Sequence, residues 1–130
     1  MKRKFSASLD NLDSFANKIS RLLKGGEVIG LIGPLGAGKT ALVKALAKIL
    51  QVQRPVASPT FVLLQLLEGR LNKKPLTIYH LDLYRIKNYR EVKALGIEDF
   101  WQQPQSLTLI EWADKIKKHL PKNCWQITFN

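Results

Sequence analysis

The chain contains the run GPLGAGKT at residues 33–40, in which Gly33, Gly38, Lys39 and Thr40 fit the pattern G-x-x-x-x-G-K-[ST]. Such a loop turns backbone N–H groups inward on phosphate oxygens. Its glycines keep side chains clear, and a helix leaving it adds a favourable dipole. Lys39 would reach the β and γ phosphates of a nucleoside triphosphate, and the Thr40 hydroxyl would bind Mg²⁺. The metal also needs a carboxylate, commonly from the C-terminal end of a neighbouring strand. Two residues qualify: Glu111, which ends the apolar run of LTLIEW, and Asp82, late in YHLDLYR. In the second stretch His80, Asp82 and Tyr84 alternate onto one face and Leu81 and Leu83 onto the other, as they would in any half-exposed strand.

Elements of the right kind surround these residues. Apolar residues at three- and four-residue steps from Leu9 to Leu23 predict an amphipathic helix over 9–23, closed by Gly25 and Gly26. Residues 27–32 read as a buried strand, and 39–50 as a helix packing Leu42, Val43, Leu46 and Ile49 on a sheet. Strands are expected over 61–68 and 76–83 around GRLNKKP, whose Gly69 and Asn72 suit a hairpin turn. A helical region over 88–103, a strand over 107–111, a short helix and a final strand CWQITF complete the chain. This alternation implies an α/β fold, a sheet with helices on its faces.

Composition narrows the class. A chain of 130 residues, 45% hydrophobic, is expected to form one domain with a real core. The single Cys124 cannot form an internal disulfide, and the N-terminal stretch has no apolar run of the kind a signal peptide needs. The longest apolar stretch, FVLLQLL, is far too short to span a membrane, so a cytoplasmic protein is expected. With 21 Lys and Arg against 10 Asp and Glu, the net charge of +11 favours anionic partners. GTPases usually select guanine with N-K-x-D. Here NKKP has Pro75 at the last position, which favours ATP. A small-molecule kinase with RIKNYR as a phosphate lid, and a basic nucleic-acid-binding module with a structural loop, are the alternatives.

GPLGAGKT, SPTF, HLDLYR, LGIEDF and LIEW follow one another in this order. Together they resemble the TsaE (YjeE) family, the bacterial ATPase of tRNA threonylcarbamoyladenosine synthesis, and HLDLYR followed by IEW is far more specific than the glycine loop. The resemblance implies a P-loop NTPase-like mixed sheet flanked by helices, forming a single domain over residues 1–130. It implies ATP phosphates on Leu35, Gly36, Ala37, Gly38, Lys39 and Thr40, with Mg²⁺ on Thr40 and Glu111. Asp82 would act near the attacking water or the metal, Thr60 of SPTF would sit in a nucleotide-sensing loop, and Trp112 would lie close to the nucleotide. The implied partners are the TsaD and TsaB proteins, with weak hydrolysis by the ATPase alone, and a tRNA contact through the basic surface stays open. Members of the family usually continue past the last strand here into a further turn with a Gly-Arg pair and another strand, so the nucleotide pocket is expected to be shortened.

Overall fold

The computed structural model describes residues 3–57 and 63–130. Among the described residues six strands form one sheet in the order β1-β6-β2-β5-β4-β3. They are β1 (Lys4–Ala7), β2 (Glu27–Ile32), β3 (Leu64–Leu71), β4 (Lys74–Asp82), β5 (Ser106–Glu111) and β6 (Trp125–Phe129). All neighbours run parallel except β3, which closes the edge as an antiparallel hairpin with β4. This is the mixed sheet expected from the sequence. β2 and β5 lie inside a parallel sheet covered on both faces, which is why both read as nearly unbroken apolar runs.

Helices α1 (Leu12–Leu22) and α2 (Lys39–Ile49) cover one face. There Ile19, Leu42, Val43 and Leu46 pack on Ile29, Leu31, Ile78, Leu107 and Leu109. The other face carries α3 (Tyr89–Lys93), α4 (Ile97–Phe100) and a 3-10 segment, Ala113–His119, over Val28, Leu81 and Ile110. That segment lies close against the middle of β2: a Cβ added to Gly30 would stand 2.8 Å from the Cβ of Ala113. Among the described residues no helix is long and apolar enough to cross a membrane.

Several local expectations need correction. The first helix is broken: Leu9–Asn11 forms a 3-10 turn before α1, and Leu9, assigned to the apolar face, is 58% exposed. β1 carried no sequence signal, because its four residues are paired with β6 at the far end of the chain and Phe5 packs across it on Trp125. Gly69 is not a turn residue. It pairs with Leu76 inside the hairpin, where a Cβ would lie 2.6 Å from the Leu50 carbonyl oxygen. Asn72 and Lys73 make the turn instead, both with positive φ, 51° and 67°, as a two-residue hairpin with right-handed twist requires. The helical region over 88–103 divides into α3 and α4 at Gly96, whose φ is +73°. The first part of the strand expected over 61–68, and Thr60 with the rest of SPTF, lie at or beside residues 58–62, outside the described residues.

Two consequences can be measured. Leu46 is fully buried between α2 and the sheet, so Leu46→Ala should lower the unfolding free energy by about 2–5 kcal/mol in urea titration. The N-terminus of α3 is closed by a capping box: Asn88 accepts the Arg90 N–H, and the Glu91 carboxylate accepts the N–H groups of Lys87 and Asn88. Those N–H groups hold the Glu91 carboxyl below its ordinary value of 4.5. A lowered carboxyl contributes stability that is present above the unfolded value and lost as pH falls through the folded one. Glu91→Gln should therefore lower the midpoint of unfolding at pH 7, and the loss should shrink as pH falls below 4.5.

Candidate functional site

Parallel order and register bring the chemistry to one edge of the sheet. The even positions of β4, Leu76 and Ile78, face the core under α2, so His80 and Asp82 follow on that face toward the C-terminal end. On β5 the odd positions Leu107 and Leu109 face the same core and Glu111 continues the row. Asp82 and Glu111 are register partners on neighbouring strands, and Leu31 of β2 pairs with Glu111 on its other side. The glycine loop leaves β2 at the same edge and enters α2 at Lys39.

The loop, Glu111 and β4 are joined by hydrogen bonds. Thr40 Oγ1 donates to Glu111 Oε1 at 2.7 Å, and His80 Nε2 lies 2.7 Å from Glu111 Oε2. Glu111 is only 2% exposed, so both its oxygens are committed within the site. Lys39 Nζ donates to the carbonyls of Gly33 and Pro34 at 2.5 and 2.8 Å and stands 4.1 Å from the ring centre of Trp112. Gly36 and Gly38 hold φ of +78° and +114°, a bend that L side chains rarely adopt. The Tyr84 N–H donates to Asp82 Oδ1 at 2.9 Å, fixing the carboxyl on the turn that follows β4.

A cleft of about 440 Å³ opens between these parts. Leu35, Gly36, Lys39 and Thr40 line one side, and Asp82, Tyr84, Arg85, Glu111 and Trp112 the other. Burial lowers the pKa of Lys39, with Glu111, Asp82 and Asp114 opposing that shift by their charge. Burial raises that of Asp82; the Tyr84 N–H and Lys39 pull it back, and the neighbouring Glu111 carboxylate adds to the rise. Both groups are thus made less willing to carry charge by the same walls, as is common where chemistry is done.

The structure therefore brings together Leu35, Gly36, Gly38, Lys39, Thr40, Asp82 and Glu111, all named from sequence. Ala37 is buried beneath the loop rather than on the cleft wall. Trp112 lines the cleft while its ring packs with the second core, 5.2 Å from Tyr84. The sequence did not assign a partner to His80. Its place in the alternation His80, Asp82 was visible, but the strand beside β4 was not. Leu9 on the cleft wall was missed, since it arrives there by a turn, while Arg85, named from sequence only as the start of a phosphate lid in the kinase reading, lines the wall as well.

His80 acts here as a positioning residue for Glu111. His80→Ala should cost about 1.5–3 kcal/mol in urea unfolding, the scale of a hydrogen bond to a charged group. His80→Gln, which keeps a donor, should recover part of that loss.

Comparison with known proteins supplies the lineage. The family described as "Threonylcarbamoyl adenosine biosynthesis protein TsaE" matches residues 6–130. The chain is 35% identical over 117 residues to the tRNA threonylcarbamoyladenosine biosynthesis protein TsaE of Treponema pallidum (strain Nichols), covering 90% of this chain and 82% of that protein. Against the protein of the same name from Bacillus subtilis (strain 168) it is 36% identical over 114 residues, covering 88% and 68%. The crystal structure of YdiB from Bacillus subtilis superposes with a TM-score of 0.69 at 30% identity, over 94% of this chain and 71% of that one. With the family match and these relatives extending over nearly the whole chain, the chain that carries this loop and these carboxylates belongs to the TsaE family.

Proposed function

We propose that this chain binds Mg·ATP, hydrolyses it weakly alone, and serves in the cytoplasm as an accessory ATPase for threonylcarbamoyladenosine formation in tRNA, alongside TsaD and TsaB. The observation that carries this reading is the 2.7 Å contact between Thr40 Oγ1 and Glu111 Oε1 at the foot of the glycine loop. Adjacent oxygens on an octahedral Mg²⁺ stand roughly 3 Å apart, so these two need separate by only a few tenths of an ångström to share the ion. Among the described residues no group of three or more His, Cys, Asp and Glu is placed to hold a metal. Two protein oxygens, with phosphate and water completing the shell, is the usual Mg²⁺ arrangement.

Each residue then has a task. Lys39 exchanges the Gly33 and Pro34 carbonyls for phosphate oxygens, which favour the charged form that burial opposes. Backbone N–H groups of the loop and the start of α2 hold the phosphates, and the open arc at Gly36 leaves room for them: no atom lies within 4 Å of where its Cβ would be. His80 keeps Glu111 aimed. Asp82, with its carboxyl raised toward the working range of a general base, orients the attacking water. Thr40 and Glu111 would hold Mg²⁺, whose charge would offset the negative charge that develops on the transferred phosphoryl group. Weak turnover alone follows if a partner supplies the remaining charge stabiliser, a device worth about 10³–10⁵-fold in other P-loop enzymes.

ATP turnover tests this, measured for the wild-type chain, Lys39→Ala and Glu111→Ala, each alone and with the TsaB and TsaD pair. The wild type should turn over slowly and rise with the pair, while both variants fall by about a hundredfold or more. Turnover retained in both variants would remove the P-loop mechanism, and equal rates with and without the pair would remove the accessory role.

A further inference from the structure

Two short stretches, YRIKNYR at residues 84–90 and KIKKH at 115–119, hold Arg85, Lys87, Arg90, Lys115, Lys117 and Lys118 and not one Asp or Glu. The fold lays them side by side and ties them twice. Lys115 Nζ donates to the Tyr84 carbonyl. At the other end the rings of Tyr89 and His119 stack with centroids 3.7 Å apart and planes 3° from parallel. All six cations are exposed.

Three acidic side chains adjoin this band: Asp114, exposed next to Lys115 and close enough to the cleft to act on Lys39, and Glu91 and Glu98. Glu91 is bound to the N–H groups of Lys87 and Asn88, and Glu98 accepts the Tyr89 hydroxyl at 2.5 Å. Among the described residues no Lys or Arg of the band makes a salt bridge, and the six cations outnumber Asp114, Glu91 and Glu98 beside them. Six like charges held together by a carbonyl tether and a ring stack repel one another, and a polyanion would relieve that repulsion. One end of the band opens on the cleft, where Arg85 and Tyr84 line its wall. Tyr84 is 45% exposed there, its ring 5.2 Å from that of Trp112 and 5.7 Å from the Lys115 ammonium.

We propose that this band seats the phosphate backbone of RNA at the mouth of the nucleotide cleft. The proposal rests on the tRNA reading above, since that supplies the RNA. Lysines and arginines spaced along two parallel stretches suit a repeating phosphate backbone, which fixes position without reading sequence. The exposed Tyr84 ring favours RNA over an acidic protein surface, because unpaired bases stack on aromatic faces.

The test is binding of a fluorescent unmodified tRNA transcript to the full chain at several KCl concentrations. Lys117→Gln/Lys118→Gln alters the band, and Lys44→Gln/Lys48→Gln makes the same charge change on α2, over the opposite face of the sheet. The band variant should lose about tenfold in affinity near physiological salt, and its log–log salt slope should shrink by about 1.5–2. The α2 variant should lose less than about twofold. Equal losses in the two variants, or none in the band variant, would overturn the proposal. Loss of binding to the TsaB and TsaD pair with tRNA binding intact would also overturn it, assigning the band to a protein surface. Mg·ATP affinity of the same preparations is read separately, so failure of the nucleotide reading cannot be mistaken for failure of this one.

Discussion

A carboxylate cannot be stripped of water without partners, and Glu111, almost wholly buried, has two: the Thr40 hydroxyl and the His80 ring. This three-residue chain joins α2 to β5 and β5 to β4, so the glycine loop and both acidic strand ends are positioned by one group. Satisfying Glu111 and building the site are the same event. The surrounding sheet is shaped to allow it: parallel order puts the C-terminal ends of β2, β5 and β4 at one edge, and the apolar residues below each polar one hold the strands in register.

Local chemistry explains what could be read in advance. The residues from Gly33 to Thr40 carry their meaning within eight positions, because the bend, the cradle and the helix start are all local. Asp82 and Glu111 were identifiable because each ends an apolar strand run. The helix registers of Leu42, Val43 and Leu46 came from periodicity alone, and all three are fully buried. What escaped depends on pairing between distant segments. β1 exists because β6 lies beside it, Gly69 is needed because the chain after α2 passes close by, and His80 finds Glu111 across a strand boundary. Leu9 continued the helical pattern by type and left it by position, since the 3-10 turn rotates it out toward the cleft.

The two faces of the sheet are put to different uses. On one, α1 and α2 bury the larger core, and α2 brings its N-terminus to the phosphate loop. On the other, short helices and the 3-10 segment cover a smaller core and carry the six exposed cations outward. Trp112 stands at the junction. It follows Glu111 directly, adopts a left-handed conformation with φ of 60°, and donates its N–H to the Leu31 carbonyl. Its ring thus touches both the second core and the Lys39 ammonium of the glycine loop.

Gly30 looks like an incidental residue in a buried strand, yet it sets a distance. The 3-10 segment rests on β2 where Ala113 meets the bare Cα of Gly30, and a single methyl group there would collide with it. That seat fixes how high the segment stands above the sheet, and with it the gap between Lys115 and the turn at Tyr84. Gly30 therefore acts as the missing shim under a bearing: thickness added at that one point would lift the basic stretch away from the cleft wall without touching a residue of either.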